Sequence, residues 1–444
     1  MMRPAFPAVW LSARGVKAML ALALGLALAS VLPVLLPLFF AALLVLVALV
    51  AVDAALGPSR SALRIARGAL PPLALRRPAR LTYVLENRAP LAVRVGLIEA
   101  PLSKLAFGAT QTLARVAPGA RFTATLAIEP RERGAVTLGP FYVWTENRIG
   151  FLRRRFRVDA HEEARIFPDL SAVEGRGKLA ERRTLLEAGL RRLRRRGAGT
   201  EFESLREYGA GDAFREIDWK ATAHRGRTMV AQYEVERSQN VIVALDCGRM
   251  MSARLGAQRK LDYAVTAALS LARIAQRADD NVGLAAFAAH PILDIAPRRG
   301  AAHYRALTQT LYDVQPRLEE ADYETTFTAL RRRYAKRSLI VLFSDILDPA
   351  TSSAVLTGLS LLVPRHLVLC VLMNDATIAA ALDHPPQTAR DAFRTVVAMR
   401  LADERAKALA ALRSRGIRAI DVPAAHLSVA AIDAYLDIKA HGRL

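Results

Sequence analysis

The chain has 444 residues, a formal net charge of +22 and 52% hydrophobic residues. This length allows two or three domains, each large enough to bury a core of its own. The excess positive charge rests on arginine and does not by itself distinguish nucleic acid, anionic lipid or an acidic protein as a partner. The only two cysteines, Cys247 and Cys370, lie beside or inside apolar runs. We therefore interpret them as small core residues, not as a disulfide or a nucleophile.

Near the N-terminus, no charged side chain occurs between residues 18 and 52. As one helix this run would extend well beyond a hydrocarbon core of about 30 Å, and Pro33 and Pro37 favour a break near its middle. The sequence therefore predicts a transmembrane hairpin with spans near residues 16–32 and 36–52. Basic residues flank both outer ends and are absent from the turn, so both ends are expected in the cytoplasm. A cleaved signal peptide is the alternative, but the run is too long for its apolar region.

From about Leu73 to Phe167, short apolar runs alternate with turn residues such as Pro118-Gly119 and Arg133-Gly134. Strands at this spacing predict an antiparallel β-sandwich of immunoglobulin-like type. The predicted strands are Leu81–Leu85, Leu91–Ile98, Phe122–Ile128, Ala135–Leu138 and Phe141–Thr145. We find no catalytic pattern in this stretch, so we interpret it as a spacer or a protein-contact domain.

Between residues 176 and 196, nine arginines or lysines stand against two glutamates. Leu186, Leu190 and Leu193 fall on one helical face, which indicates an amphipathic helix. The favoured interpretation is a solvated linker that docks its leucines on a neighbouring domain. Attachment to anionic lipid headgroups is the functional alternative. Nucleic acid is disfavoured, because the run contains no aromatic residue and no nucleic-acid-binding signature.

The next segment, from Thr200 to the apolar run at Val241, mixes charged residues with aromatic and aliphatic ones at a regular spacing. We interpret it as a polar network laid over the edge of an α/β core, with Tyr208 and Trp219 as anchors. The residues that define this signature segment are Glu201, Phe202, Leu205, Arg206, Tyr208, Gly211, Asp212, Arg215, Ile217, Asp218, Trp219 and Lys220.

The C-terminal half alternates apolar runs with helical stretches. The predicted strands, three of them typical of strands buried on both faces, are Val241–Leu245, Val282–Phe287, Ile292–Ile295, Leu339–Phe343, Leu367–Met373 and Ile417–Val422. The predicted helices are Lys260–Arg277, Ala302–Val314, Tyr323–Lys336, Ala350–Leu362, Arg390–Arg415 and Ser428–Ala440. This alternation predicts an α/β domain with a doubly wound, mostly parallel sheet.

The spaced residues of the signature segment resemble the bacterial domain-of-unknown-function family 58. That family reads Glu-Phe-x-x-Leu-Arg-x-Tyr, Gly-Asp, Arg-x-Ile-Asp-Trp-Lys and then a strand that ends in Asp, and the chain matches at each position. The resemblance implies a membrane-anchored protein with a von Willebrand factor type A-like domain, associated with MoxR-type AAA+ ATPases. It implies no particular reaction.

Ligands of such sheets bind beyond the carboxyl ends of the strands, where Asp246 and Asp345 lie. The type A resemblance implies an adhesion site built on an Asp-x-Ser-x-Ser loop, in which carboxylate and hydroxyl oxygens hold a hard cation. Here the loop reads Asp246-Cys247-Gly248-Arg249-Met250, so both hydroxyls are missing, and Arg249 is expected to oppose a cation. Asp246 and Asp345 are therefore the candidate ligands of a degenerate magnesium site, and a metal-free surface is favoured.

Glu207, Asp212, Asp218, Lys220 and His224 cluster in the sequence, and a hydrolase could use such groups. No nucleophile elbow, phosphate loop, zinc helix or Cys-His pair accompanies them in the sequence. We therefore favour a capped, salt-bridged segment or a partner-recognition surface. A hydrolase that uses the Asp212–Lys220 cluster stays as the alternative function.

The predicted organisation is a transmembrane hairpin (residues 1–57), a β-sandwich (58–170), the basic helix with the signature segment (171–238) and the α/β domain (239–444). The predicted function is that of a membrane-anchored protein-interaction module, not an enzyme. By resemblance it is a cofactor or adaptor of a MoxR-type ATPase, or of its client, in envelope-related or complex-assembly processes. It is expected in the bacterial inner membrane as a multi-pass protein, with its soluble domains in the cytoplasm and no cofactor other than magnesium at the degenerate site.

Overall fold

The computed structural model describes residues 9–108, 112–171, 201–209, 214, 217–234, 239–346, 349–383 and 385–441. The chain divides into two compact units, Met1–Phe167 and Pro168–Leu444. The predicted basic helix at residues 176–196 lies outside the described residues, as do Gly211, Asp212 and Arg215 of the signature segment.

Two apolar helices, α1 (Ala13–Val31) and α2 (Leu36–Ala55), form the hairpin that the sequence predicted. A short 3-10 turn at Pro33–Leu35 joins them. Prolines are tolerated at this place because the first residues of a helix need no N–H donor. Both helices are long and apolar enough to cross a membrane, with mean hydropathies of 1.6 for α1 and 3.0 for the span that contains α2.

The remainder of the first unit is β-rich. Its strands are β1 (Val9–Leu11), β2 (Leu63–Arg67), β3 (Leu73–Ala74), β4 (Ala79–Asn87), β5 (Val93–Glu99), β6 (Leu105–Phe107), β7 (Thr112–Val116), β8 (Arg121–Pro130), β9 (Gly134–Leu138), β10 (Phe141–Glu146), β11 (Leu152–Val158) and β12 (Glu162–Phe167). They form sheets in the orders β1-β11-β10-β5-β7, β2-β4-β8-β6 and β3-β12-β9. Every pair is antiparallel except β3–β12.

Alternation of apolar and polar residues builds the core of this β-rich region. Leu81, Tyr83 and Leu85 of β4 are buried, and they share one apolar cluster with Phe141 and Val143 of β10. The intervening residues of β4 are only half-buried, as expected where successive side chains point to opposite faces. All five strands predicted here from the sequence are confirmed.

Sequence reasoning missed β11, because its arginines break the apolar alternation. In the structure these arginines lie across aromatic rings of the neighbouring strand β10. The guanidinium of Arg153 is 4.4 Å from the ring centre of Trp144, and that of Arg155 is 5.1 Å from the ring centre of Tyr142. Cation–π contacts of this kind stabilise a strand that is too polar to be identified by hydrophobicity.

The second unit contains strands and helices in alternation. Its strands are β13 (Glu201–Glu207), β14 (Met229–Glu234), β15 (Asn240–Asp246), β16 (Arg254–Leu255), β17 (Gln258–Arg259), β18 (Asn281–Phe287), β19 (Pro291–Arg298), β20 (Leu339–Ser344), β21 (Leu367–Asn374) and β22 (Arg418–Pro423). Its helices are α3 (Trp219–Arg225), α4 (Lys260–Arg277), α5 (Ala301–Leu311), α6 (Tyr323–Arg333), α7 (Pro349–Ser360), α8 (Ala376–Asp383), α9 (Ala389–Ser414) and α10 (Leu427–Ala440).

Six of these strands form one sheet in the order β19-β18-β15-β20-β21-β22. Neighbours are parallel except β18 and β19. Val241, Val243 and Leu245 of β15 pack in a cluster with α4, α5 and α10, whereas Ile242 and Ala244 pack with α6, α7 and α9. Helices therefore cover both faces, and the mixed α/β class predicted from the sequence is confirmed.

The long elements were predicted best. Helix α4 coincides with the predicted Lys260–Arg277, and the buried strands β15, β20 and β21 coincide with the three apolar runs. The sequence did not predict α8, a short helix with little apolar periodicity. Both cysteines are buried, as predicted for small core residues, and burial raises the pKa of Cys370 to about 12.

Candidate functional site

The signature segment folds as a β-hairpin with a short helix in its connection. Strand β13 pairs antiparallel with β14, and α3 begins where the side chain of Asp218 accepts a hydrogen bond of 2.9 Å from the backbone nitrogen of Ala221. Gly226 ends α3 with a φ of 66°, in the left-handed region that glycine adopts without strain. Asp218 is thus a helix cap.

The two aromatic residues predicted as anchors are exposed, so that interpretation is wrong. Trp219 is 59% exposed and Tyr208 is 41% exposed. Trp219 instead makes an edge-to-face contact with Phe214, itself 71% exposed, at a ring-centre distance of 5.7 Å. Backbone hydrogen bonds hold the segment: the nitrogen of Tyr208 donates to the oxygen of Thr228 and that of Asp218 to Met229, each at 2.9 Å.

The other described residues of the signature are spread over both strands and the helix. Glu201 and Phe202 lie in β13, Leu205 is half-buried, Ile217 is buried, and Arg206 and Lys220 are exposed. Glu207 forms an exposed ion pair with Arg227. The described groups of the Asp212–Lys220 cluster are a helix cap at Asp218 and an exposed amine at Lys220, an arrangement that suits recognition better than proton transfer.

A second group of polar residues lies at the carboxyl ends of the parallel strands. Asp246, at the end of β15, is 1% exposed. Its Oδ2 accepts hydrogen bonds from the hydroxyls of Tyr323 (2.6 Å) and Ser344 (2.7 Å), and its Oδ1 accepts one from the backbone nitrogen of Gly248 (2.7 Å). Burial raises the pKa of Asp246, although these hydrogen bonds oppose the shift.

Asp345, which follows β20, is fully buried between two cations. Its Oδ2 forms an ion pair with the ammonium of Lys260, and its Oδ1 accepts a bond of 2.8 Å from Nη1 of Arg405. Oδ1 also accepts a bond of 2.9 Å from the backbone nitrogen of Ile346. Both oxygens of Asp345 are therefore already hydrogen-bonded within the protein.

Arg405 ties this carboxylate to the neighbouring strands. It bonds both oxygens of Asp421 on β22, at 2.9 and 2.8 Å, and also donates to the carbonyl oxygens of Ile346 and Met373. Burial acts to lower the pKa of Arg405, but its hydrogen bonds to Asp421 and the charge of Asp345 raise it overall. We call Asp246, Lys260, Asp345, Arg405 and Asp421 the strand-end network.

A hard divalent cation does not fit this network. Such an ion needs about six oxygen ligands, whereas the oxygens of Asp246 and Asp345 already accept bonds from the protein. A Cβ at Gly248 would lie 3.0 Å from the oxygen of Glu319 and 3.1 Å from Oδ1 of Asp246, so a serine there would crowd both atoms. Among the described residues, no group of three or more His, Cys, Asp or Glu side chains is placed to hold a metal.

The sequence suggested that Arg249 would oppose a metal, but in the structure Lys260 and Arg405 do so. Arg249 is exposed and forms an ion pair with Glu320 at the surface. Lys260 and Arg405 were missed, because nothing in their local sequence shows that they are buried beside a carboxylate 85 or 60 residues away. One signal was available: Lys260 opens a helix, a position where the helix dipole disfavours a positive charge.

Comparison with known proteins finds one family model that matches part of the chain. Residues 204–382 match the family model described as "Protein of unknown function DUF58". The family predicted from the signature is thereby confirmed. The DUF58 match begins within β13 and ends in α8, so it contains most of the signature hairpin with Asp246, Lys260 and Asp345. It leaves out Glu201, Phe202, Arg405 and Asp421.

Relatives and solved structures that resemble the chain do so at low identity. Uncharacterized proteins from Mycobacterium tuberculosis and Mycobacterium bovis are each 26% identical over 231 residues, which cover 50% of this chain and 72% of theirs. The conserved hypothetical protein BatB from Bacteroides thetaiotaomicron is 14% identical over 31% of this chain and 67% of its own, with a TM-score of 0.25. A PapD-like domain of human CEP192 is 11% identical over 26% of this chain and 90% of its own, with a TM-score of 0.20. Structural likeness at these scores carries no argument about function.

Proposed function

We propose that the chain is a membrane-anchored protein-interaction module. The observation that carries this proposal is an apolar surface on the N-terminal half of α9. Phe393, Val396 and Met399 recur every three residues on one side of the helix and are 71%, 64% and 57% exposed. Val397 of the same helix and Leu382 of α8 are also exposed. Contiguous exposed apolar surface of this kind marks sites where proteins bind one another.

The apolar side chains of this surface are not the ones through which α9 packs on the rest of the domain. The buried residues of α9 are Ala398, Arg405, Ala408 and Leu412, which lie on the other side from Val396 and Met399 on a helix of 3.6 residues per turn. Exposed arginines at positions 390, 394 and 400 border the apolar side chains. A partner surface with an apolar centre and acidic residues around it would complement this α9 patch.

The signature hairpin supports the same function through a second exposed surface. Phe214 and Trp219 are aromatic residues that contact each other while remaining largely exposed. Aromatic residues are enriched in protein interfaces and carry much of their binding energy. Because these side chains are 71% and 59% exposed, they add little to the core, and their exposure favours recognition over a role in stability.

The membrane anchor is proposed from α1 and α2. Both helices are long and apolar enough to span a bilayer, and Arg14, Lys17 and Arg60 stand exposed near their outer ends. Basic residues at these places favour a multi-pass inner-membrane protein whose two ends and soluble domains are cytoplasmic. The same side chains suit contact with anionic lipid headgroups.

The finer identity of the domain and partner rests on family resemblance. A von Willebrand factor type A-like domain is consistent with helices on both faces of a largely parallel sheet and with carboxylates at its strand ends. The proposed partner is a MoxR-type AAA+ ATPase or a client of that ATPase. The module would serve as its adaptor at the membrane.

Site-specific photo-crosslinking in intact membranes tests this proposal. A photoreactive phenylalanine analogue is placed at position 393 in the α9 patch and, as a matched control, at the exposed Gln309 of α5. Mass spectrometry of the crosslinked products should identify the ATPase or its client from position 393 and not from position 309. Equal crosslinking from both positions, or none from position 393, would contradict a docking role for α9.

A further inference from the structure

The strand-end network holds a lysine in a place where lysine is unfavourable. Lys260 is the first residue of α4, where the partial positive charge of the helix N-terminus repels a cation. It is also only 2% exposed, and removing an ammonium group from water is costly unless a counter-charge compensates it. The ion pair with Asp345 supplies that counter-charge.

Asp345 in turn depends on cations that the protein itself provides. Its side chain is fully buried, and an unpaired carboxylate there would be strongly destabilising. Lys260 of α4 contacts one oxygen of Asp345, and Arg405 of α9 contacts the other. The neighbouring Asp246 is stabilised differently, by hydrogen bonds that it accepts from the hydroxyls of Tyr323 and Ser344 and from the backbone nitrogen of Gly248.

We propose that Lys260 is the resident cation of this site. Its ammonium takes the place of the divalent metal that the family resemblance implies. The carboxylates at the strand ends then need no metal ion to balance their charge. The absence of both hydroxyls from the Asp246–Met250 loop and the tight contacts that a Cβ at Gly248 would make are consistent with this replacement. This charge balance is internal to the fold and does not depend on the partner proposed above.

Manganese binding to the full-length protein in nanodiscs tests the replacement directly. Mn²⁺ alone is the probe, followed by electron paramagnetic resonance. The wild-type chain is expected to bind no Mn²⁺ at a saturable site in the millimolar range. Lys260→Glu, which replaces the ammonium with carboxylate oxygens beside Oδ2 of Asp345, is expected to gain a saturable site that disappears again when Asp345→Asn is added. A saturable wild-type site that Asp345→Asn removes, or no site in Lys260→Glu, would overturn the proposal.

A double-mutant cycle tests the charge pairing independently of any metal. Lys260→Met keeps most of the side-chain volume and removes the charge, and it is expected to lower the Tm by several degrees. Adding Asp345→Asn is expected to restore part of that loss, because the uncompensated carboxylate is then gone. Lys407→Met is the matched control, since Lys407 is exposed in its pairs with Asp403 and Glu404. A Lys260→Met variant with wild-type Tm, or strictly additive losses in the double variant, would contradict the pairing.

Discussion

The carboxylate of Asp53, at the end of the second apolar helix, lies 2.7 Å from the backbone nitrogen of Leu152, 99 residues further along the chain. The same oxygen accepts a bond of 2.8 Å from the nitrogen of Phe151, and the side chain of Asn147 donates to the carbonyl oxygen of Asp53. Ser12, which caps α1, donates from its hydroxyl to the oxygen of Gly150. The base of the hairpin and the β-rich region are therefore joined by buried polar contacts.

Asp53→Ala is expected to loosen this junction. Removal of the buried carboxylate leaves the N–H groups of Phe151 and Leu152 without acceptors, at a cost of about 2–4 kcal/mol in the free energy of unfolding. Hydrogen exchange of these two amides in nanodiscs measures the effect. The matched control is Asp159→Ala, because Asp159 pairs with Arg157 while both side chains remain exposed. Unchanged protection of the two amides in Asp53→Ala would refute a role for Asp53 in the junction.

Arg405→Met is expected to destabilise the α/β unit by about 3–5 kcal/mol, because it leaves the buried carboxylate of Asp345 and its neighbour Asp421 without their shared cation. Arg405→Lys should recover only part of this loss, since lysine cannot form the two-pronged contact with Asp421. Urea unfolding of the full chain gives the comparison. Lys407→Met on the same helix should change stability by less than about 1 kcal/mol. Equal effects at positions 405 and 407 would contradict the network.

His366 gives the stability a pH dependence. It is 4% exposed, neither ring nitrogen has a hydrogen-bond partner among the described residues, and burial lowers its pKa from the usual 6.5. As the pH falls below 6.5, the unfolded chain takes up a proton before the folded chain does, so the free energy of unfolding decreases.

The variant His366→Leu isolates this contribution. Between pH of about 7 and about 5, the wild-type chain should lose on the order of 1 kcal/mol of unfolding free energy more than the variant does. Urea unfolding curves at several pH values provide the measurement. Parallel pH profiles for the two proteins would show that His366 does not titrate differently in the folded and unfolded states.

Two substitutions in the signature hairpin separate stability from recognition. Asp218→Ala removes the cap of α3 and is expected to cost about 1 kcal/mol. Trp219→Ala should change the free energy of unfolding by less than about 0.5 kcal/mol, because the side chain is 59% exposed, yet it should weaken partner capture. Thermal unfolding and a pull-down with the proposed ATPase are compared for both. A strongly destabilised Trp219→Ala variant would show that the residue is structural.

The spacing of apolar residues correctly predicted the strands and helices that are buried in the core. The buried strands β15, β20 and β21 are continuous apolar runs, and α4 has the apolar spacing of a helix that packs on a sheet. Strand β11 was not predicted, because arginines stand where apolar residues were expected. These arginines are stabilised by aromatic rings of β10.

The candidate site was harder to predict, because its chemistry comes from pairs that are distant in sequence. Asp246 and Asp345 were placed correctly at strand ends, but their partners Tyr323, Lys260 and Arg405 depend on how the helices pack. Trp219 was misassigned because its local sequence pattern was misleading. A large aromatic residue beside charges suggests an anchor, yet nothing in the sequence shows which side of α3 faces solvent.

The proposed docking role of α9 is best measured as the binding of a purified MoxR-type ATPase to the chain embedded in nanodiscs. The variant Phe393→Asp/Val396→Asp places two charges in the α9 patch at exposed positions, so folding should be unaffected, as circular dichroism would verify. If α9 docks the ATPase, the Kd should rise at least about tenfold for this variant and should stay at the wild-type value for the control Gln309→Asp. A wild-type Kd for the double variant, with the fold intact, would contradict a role for this surface in docking.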